Sequence, residues 1–127
     1  MKRIGLITKN NILAQSLALV IKSNMDLPLE PYVFQSFDQA VVDAEVFGID
    51  IAVIEMLVQT PEETGAVMSI CNDLRKKVQS CKILLLVPQD NTYSRDEVMN
   101  AFNDKTIDDY VFMDTSLDYL LAKLLAF

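Results

Sequence analysis

The sequence contains no histidine. This absence excludes serine and cysteine triads of the usual kind and most transition-metal sites. Glycine is also scarce, and Gly5, Gly48 and Gly65 cannot form the GxGxxG or GxxxxGKS/T loops that hold phosphate groups. The two cysteines, Cys71 and Cys81, lie ten residues apart, a spacing that fits neither a CxxC redox motif nor a zinc site. We interpret both as reduced thiols and expect Cys71 to be buried.

Long apolar segments are missing as well. A typical apolar run, residues 83–87, is much shorter than the about 20 residues that a transmembrane helix needs. Residues 1–7 carry two positive charges but lack the apolar stretch of a signal peptide. We therefore expect a cytoplasmic protein without membrane association.

Charge and hydrophobicity narrow the class of protein further. The net charge is −7, and an acidic surface repels a phosphate backbone, so we expect no nucleic-acid binding by this domain. Hydrophobic residues make up 51% of the 127 residues, which suffices for a core and excludes global disorder. The length fits one domain over residues 1–127, either free or excised from a longer regulator.

Short apolar runs alternate with segments of helical period along the sequence. The apolar runs predict strands at residues 1–8, 30–34, 50–55, 82–87 and 110–113. The periodic segments predict helices at about residues 11–24, from residue 36 or 38 to residue 47, at 62–79, and onward from residues 94 and 116. This alternation predicts an α/β fold, a doubly wound parallel sheet of five strands in the flavodoxin-like order 2-1-3-4-5.

Local signals predict where several elements begin and end. Asn11 is expected to cap the first helix, residues 94–97 to form a capping box for the fourth, and Ser116 to cap the fifth. Gly48 is expected to end the second helix. Pro31 cannot donate a hydrogen bond within a sheet, so it predicts that the second strand lies at an edge.

The predicted apolar helix faces pack against the sheet. They comprise Val41, Val42, Ala44, Val46 and Phe47 in the second helix, Val67, Cys71, Leu74 and Val78 in the third, and Leu117, Leu120, Leu121, Leu124 and Leu125 in the fifth. We interpret the basic run at residues 75–77 as a solvated helix end whose positive charge suits the helix dipole.

Ligands of such sheets bind beyond the carboxyl ends of the strands, so the residues there are the functional candidates. The candidates are Lys9, Asn10, Glu55, Val87, Pro88, Met113 and Asp114. No catalytic or metal-binding role is predicted for any of them.

The sequence resembles the response-regulator receiver (CheY-like) domains of two-component signalling over essentially its whole length. The resemblance depends on Pro61 and Gly65, which keep a P-x-x-x-G spacing after the third strand, and on the segments at residues 108–111 and 116–121. It implies a phosphorelay in which an aspartate accepts a phosphoryl group and two acidic residues help to hold Mg²⁺. A Thr or Ser and a Lys then bind the phosphoryl group.

Every position of that implied site departs from the receiver pattern. Lys9 and Asn10 align with the acidic pair, and Glu55 aligns with the acceptor. Val87 aligns with the hydroxyl residue and Met113 with the lysine, and the loop after Glu55 looks two residues longer than usual. Lys9 would repel a cation, Val87 has no hydroxyl and Met113 has no charge. We therefore expect a degenerate phosphoacceptor site without a metal ion.

Two hypotheses concern the side chains at this site. The first and third strands are neighbours about 4.8 Å apart in the predicted order, so we expect an ion pair between Lys9 and Glu55. The alternative is that Glu55 mimics a phosphoaspartate. Tyr110 aligns with the switch aromatic of receivers, and with Val87 replacing the hydroxyl residue we expect its ring to stay in one position.

The resulting expectation is a signalling module that acts through protein contacts, with no enzymatic activity and no cofactor. Its partner is expected to be an output domain, a kinase or another regulator. A homodimer is expected to form through the fourth helix, the fifth strand and the fifth helix, at residues 94–127. Two alternatives stay open: a conventional phosphorelay receiver with a shifted acceptor, and a flavodoxin-like domain that binds a small molecule or nucleotide.

Overall fold

The structure, a computed structural model, describes residues 1–24, 26–34, 36–56, 60–88 and 92–127, with only the backbone at 92–94. The strands are β1 (Lys2–Ile7), β2 (Leu29–Phe34), β3 (Ile51–Glu55), β4 (Lys82–Val87) and β5 (Asp109–Phe112). The helices are α1 (Asn11–Ser23), α2 (Ala40–Phe47), α3 (Pro61–Lys77), α4 (Thr92–Asn103) and α5 (Leu117–Ala126). Each of these strands is followed along the chain by a helix.

The five strands pair in parallel in the order β2-β1-β3-β4-β5, which confirms the predicted fold and topology. β2 lies at one edge, as Pro31 predicts. The amide of Lys2 donates to the carbonyl of Pro28 at 3.0 Å, and alternate residues of β2 from that point face β1. Pro31 falls on the outward-facing alternate, so its missing N–H removes no hydrogen bond from the sheet.

Two apolar layers cover the two faces of the sheet. Ala52 and Ile54 face the layer of α2, α3 and α4. Their neighbour Val53, together with Leu6 of β1, faces the layer of α1 and α5. This alternation follows from the period of two residues in a strand, and it places Val87 on the face of α2, α3 and α4.

The centre of the sheet is closely packed. Residues 51–54 are buried on both faces, as their unbroken apolar run predicts. At Gly5 of β1, an added Cβ would stand 3.0 Å from the ring of Phe34 and 3.2 Å from Ile49. Any larger residue at position 5 would therefore displace an apolar side chain from a dense interior.

Two predicted helix ends are confirmed. Ser116 caps α5, because its side-chain oxygen accepts the N–H of Tyr119 at 3.1 Å. Gly48 ends α2 in the left-handed conformation with φ 62°, which glycine adopts without steric cost. Pro61 and Gly65 both belong to α3, where Pro61 occupies the first turn and its missing N–H leaves no bond unmade.

Two other predicted helix ends are wrong. Asn10, not Asn11, caps α1, and its Oδ1 accepts the N–H of Leu13 at 3.0 Å. α4 begins at Thr92, so the predicted capping box at residues 94–97 falls inside the helix. The side chain of Ser94 lies outside the described residues, as do residues 89–91 of the preceding loop. Both errors arise because several polar residues in a row offer alternative caps.

The predicted apolar face of α2 is also wrong in part. Val42, Val46 and Phe47 are 54%, 70% and 42% exposed. The helix has eight residues and lies over the edge of the sheet, and it buries Ala40 and Ala44. Two small residues one turn apart bring the helix close to the sheet, and the larger side chains beside them stay in solvent.

The faces of α3 and α5 agree better with the prediction. Val67, Cys71, Leu74, Leu120 and Leu124 are buried, whereas Leu117 and Leu125 are exposed. Cys71 and Cys81 are both buried free cysteines, and burial raises the pKa of Cys71 to about 12 and the pKa of Cys81 to about 11.

In the described part of the chain, no helix has the length and hydrophobicity to cross a membrane.

Candidate functional site at the carboxyl end of the sheet

The carboxylate of Glu55, at the end of β3, is held by residues that follow β1. Its Oε1 accepts a hydrogen bond from the hydroxyl of Thr8 at 2.7 Å and another from the backbone N–H of Lys9 at 3.0 Å. β1 and β3 are paired with Ile7 opposite Ile54, so the two strands end side by side. The parallel topology therefore brings Lys9 and Glu55 together, as predicted from the strand order.

The predicted ion pair between Lys9 and Glu55 is nevertheless wrong. Among the described residues, ion pairs join Arg3 to Glu30, Arg75 and Lys82 to Asp108, and Lys123 to Asp109. The ammonium of Lys9 instead lies 5.9 Å from the centre of the Phe37 ring, between β2 and α2. Two neutral donors already engage Glu55, and an exposed ammonium gains little by replacing them.

Thr8 is a site residue that the sequence analysis missed. It is 4% exposed, and its Oγ1 accepts the backbone N–H of Asn10 at 2.9 Å. The hydroxyl thus links Glu55 to the turn before α1, where the Asn10 side chain caps the helix. The available signal was a hydroxyl residue directly after an apolar strand.

Val87 and Met113, at the ends of β4 and β5, are joined through the backbone. The N–H of Met113 donates to the carbonyl of Val87 at 2.9 Å. Val87 is 1% exposed and belongs to the layer of α2, α3 and α4, whereas Met113 packs against the layer of α1 and α5. The two side chains therefore leave the sheet on opposite faces, and neither offers an oxygen or a charge.

These residues do not fit the Mg²⁺ ion that the receiver resemblance implies. Mg²⁺ requires hard oxygen ligands in octahedral geometry, and Glu55 and Asp114 are carboxylates at the ends of β3 and β5 that could supply one. The Oε1 of Glu55 already accepts two hydrogen bonds, and Lys9 brings positive charge to the same turn. Among the described residues, no group of three or more acidic, histidine or cysteine side chains could hold a metal ion. Residues 57–59, in the loop predicted to be longer than usual, lie outside the described residues.

Tyr110 is half-buried in β5 and packs against α4. Its hydroxyl donates to Sδ of Met99 at 3.3 Å. Its ring meets Phe102 edge-on at 5.7 Å and Phe112 at 6.1 Å between ring centres. In this conformation the predicted switch residue is part of an aromatic cluster shared by α4 and β5.

At the amino end of the sheet, Asp108 forms a dense polar network that corrects the interpretation of residues 75–77. Its Oδ2 accepts a hydrogen bond from Arg75 at 2.7 Å and another from the backbone N–H of Ile83 at 2.8 Å. Arg75 also donates to the carbonyls of Thr106 and Cys81. Arg75 is therefore a structural link between α3, β4 and β5, while Lys76 and Lys77 are exposed.

The architecture is that of a CheY-like flavodoxin fold, with five parallel strands in the order 2-1-3-4-5 and five helices. Solved receiver domains share it. The receiver domain of the Francisella response regulator 1452 has a TM-score of 0.74 and 20% identity, over 98% of this chain and 96% of that chain. The chemotaxis protein CheY4 of Vibrio cholerae has a TM-score of 0.76 and 15% identity, over 99% of this chain and 98% of that chain.

A third similar structure belongs to a family of redox sensors in the streptococci that evolved from two-component response regulators. It has a TM-score of 0.77 and 16% identity, over 99% of this chain and 50% of that chain. Neither a protein-family profile nor a curated protein sequence matches this chain. At these identities, the structural likeness establishes the fold.

Proposed function

We propose that this protein is a receiver-like signalling module with a degenerate phosphoacceptor site, which acts in the cytoplasm through protein contacts and without enzymatic activity. The observation that carries the proposal is the hydrogen bonding of the Glu55 carboxylate. Its Oε1 accepts hydrogen bonds from Thr8 and Lys9. Phosphoryl transfer depends on positioning and on positive charge around the transferred group. Val87 and Met113, at the ends of β4 and β5, carry no charge, and the ammonium of Lys9 lies beside the Phe37 ring.

The residues around Glu55 support the same conclusion. Val87 and Met113 place hydrocarbon and thioether groups where a receiver has a hydroxyl and a lysine. Lys9 and Asn10 replace the acidic pair, and the Asn10 side chain is committed to capping α1. The Glu55-as-phosphoaspartate alternative has no support here, because the groups that would respond to the phosphate are missing.

Protein contact is supported by the surface that we call the contact face, formed by α4, β5 and α5. Among the described side chains, six exposed apolar residues lie on these elements: Met99, Phe102, Phe112, Leu117, Tyr119 and Leu125. Exposed apolar residues grouped on one face are typical of a surface that binds another protein. We propose that this face binds a second copy of the chain. We also propose that the protein has a different protein partner, which is an output domain, a kinase or another regulator.

Incubation with Mg²⁺ and either acetyl phosphate or beryllofluoride tests the degenerate site. We expect no mass increase of the intact protein, and no NMR shifts at Lys9, Glu55 and Met113 on addition of Mg²⁺. An active receiver domain treated in parallel provides the positive control. A stoichiometric, metal-dependent adduct would overturn the proposal and favour the alternative of a phosphorelay receiver with a shifted acceptor.

Sedimentation equilibrium tests the contact face. We expect a reversible dimer that Phe102→Asp disrupts, because the substitution places a charge among the apolar residues of the face. Leu19→Asp is the matched control, because Leu19 is 67% exposed on α1, which does not belong to the contact face. A monomer at all concentrations, or equal disruption by both variants, would contradict the proposed dimer.

A further inference from the structure

A cavity of ≈ 260 Å³ lies between α4 and β5, beside the end of β4. The described residues that line it are Val87, Arg95, Val98, Met99, Tyr110 and Phe112. It is separate from Glu55, because Val87 and Glu55 side chains belong to opposite faces of the sheet. The degenerate site therefore does not account for this cavity.

Most of the cavity wall is apolar. Val87 and Val98 are 1% and 2% exposed, and they form its inner side. Met99 and Phe112 are partly exposed and lie nearer the solvent. Protein interiors normally contain few voids larger than a water molecule, and an apolar cavity of about 150 Å³ is known to bind benzene. A cavity of ≈ 260 Å³ has room for one aromatic ring with a short substituent.

Polar groups at the cavity suggest the chemistry of that substituent. Arg95, exposed on α4, is the charged side chain among the described residues that line the cavity. A guanidinium group binds a carboxylate through two parallel hydrogen bonds. The Tyr110 hydroxyl, which donates to Met99, retains oxygen lone pairs that can accept a hydrogen bond. We infer that the cavity binds a small aromatic carboxylic acid, with the ring against Val87 and Val98 and the carboxylate at Arg95.

Binding there would change the contact face. Tyr110 and Phe112 line both this cavity and a second depression of ≈ 580 Å³ that extends to Tyr119 and Lys123 of α5. A ring bound in the cavity contacts Phe112, an exposed residue of the contact face, so it alters the surface offered to a partner. This regulatory role rests on the proposed function, whereas the binding site itself does not.

The test uses 4-fluorophenylacetate as the probe and the intact chain without any phosphoryl donor. We expect a saturable ¹⁹F shift with a dissociation constant in the millimolar range, and amide shifts centred on Val98, Tyr110 and Phe112. The neutral analogue 4-fluorobenzyl alcohol is expected to bind about fivefold more weakly, the scale of a partly exposed ion pair. Absence of saturation, or shifts centred away from these residues, would overturn the inference.

Two variants locate the site. Met99→Trp fills the cavity from its solvent side and is expected to abolish binding of both probes. Arg95→Gln is expected to remove the preference for the acid while binding of the alcohol persists. Lys76→Gln, an exposed change on α3, is the matched control and should leave both affinities unchanged. If Met99→Trp does not fold, an unchanged preference for the acid in Arg95→Gln is by itself enough to reject the site.

This experiment can fail independently of the proposed function. Lack of probe binding would leave the acetyl phosphate and dimer experiments unaffected. Conversely, binding together with a phosphorylated wild type would retain the site and reject the degenerate receiver. If the probe binds and the dimer constant changes by less than about twofold at saturation, the regulatory role is rejected.

Discussion

The two ends of the sheet hold their carboxylates in different ways. At the amino end, Asp108 faces the cationic groups of Arg75 and Lys82 and also accepts the N–H of Ile83. At the carboxyl end, Glu55 accepts hydrogen bonds from a hydroxyl and a backbone N–H. Cationic side chains thus hold the carboxylate at the amino end of the sheet. Neutral donors hold the carboxylate at the carboxyl end, where receiver domains carry out their chemistry.

This comparison changes how the Asp-Asp-Tyr-Val segment of the resemblance is understood. Asp108 joins α3, β4 and β5, and Asp109 binds Lys123 of α5 at 2.5 Å. The Oδ1 of Asp109 also accepts the N–H of Tyr110 at 2.8 Å, on the outer edge of β5. Both acidic residues therefore have structural partners at the start of β5, so this segment has a role in the fold.

The largest effect is expected from Asp108→Ala. This substitution leaves Arg75 without its carboxylate partner and the N–H of Ile83 without its acceptor. The side chains of Arg75 and Asp108 are only 28% and 23% exposed, so water replaces these bonds poorly. We expect the free energy of unfolding to fall by about 3 kcal/mol, as measured by urea denaturation. Glu30→Ala, which breaks an ion pair with 48% and 45% exposed side chains, is the control and should cost less than about 1 kcal/mol. Equal losses of stability in the two variants would contradict the greater structural role assigned to Asp108.

An intermediate effect is expected from alkaline pH. Burial holds the pKa of Cys71 at about 12 and the pKa of Cys81 at about 11, whereas unfolded thiols ionise near their ordinary values. Above the unfolded pKa, the unfolded chain binds fewer protons than the folded chain, so stability decreases as the pH rises. We expect a loss of about 2 kcal/mol between pH 8 and pH 10.

Urea denaturation of the double variant Cys71→Ala, Cys81→Ala over the same pH range isolates the thiols from other titrating groups. Its stability should depend on pH less steeply than that of the wild type. Parallel pH profiles would show that the thiols are not shielded as the structure describes. Such a result would weaken the description of a dry core that extends to Cys81 at the amino end.

The smallest effect is expected at the carboxyl end. Thr8→Val removes the hydroxyl that donates to Glu55 and accepts from Asn10, and should cost about 1.5 kcal/mol. Lys9→Met keeps the backbone N–H and removes a cation–aromatic contact, so it should cost less than about 1 kcal/mol. A larger loss in Lys9→Met than in Thr8→Val would restore the ion-pair hypothesis. Urea denaturation of both variants measures the two losses of stability.

The prediction of the fold succeeded because its signals are local. An unbroken apolar run at residues 51–54 indicates a strand buried on both faces, and the alternation of strands and helices restricts the topology. The apolar face of α2 was predicted wrongly because periodicity does not reveal which side chains the edge of a sheet can cover. The same limit explains Arg75, whose partner Asp108 is 33 residues away in the sequence.

By itself, the sequence determined the order of the elements and the parallel sheet, since these depend on residue type and spacing. Only the tertiary structure decided the partners of each charge. Glu55 meets Thr8 and Lys9 across 47 and 46 residues, because the pairing of β1 with β3 brings the ends of these strands together. Hydrogen bonds act over about 3 Å, so side-chain pairing depends on distances that a linear pattern does not contain.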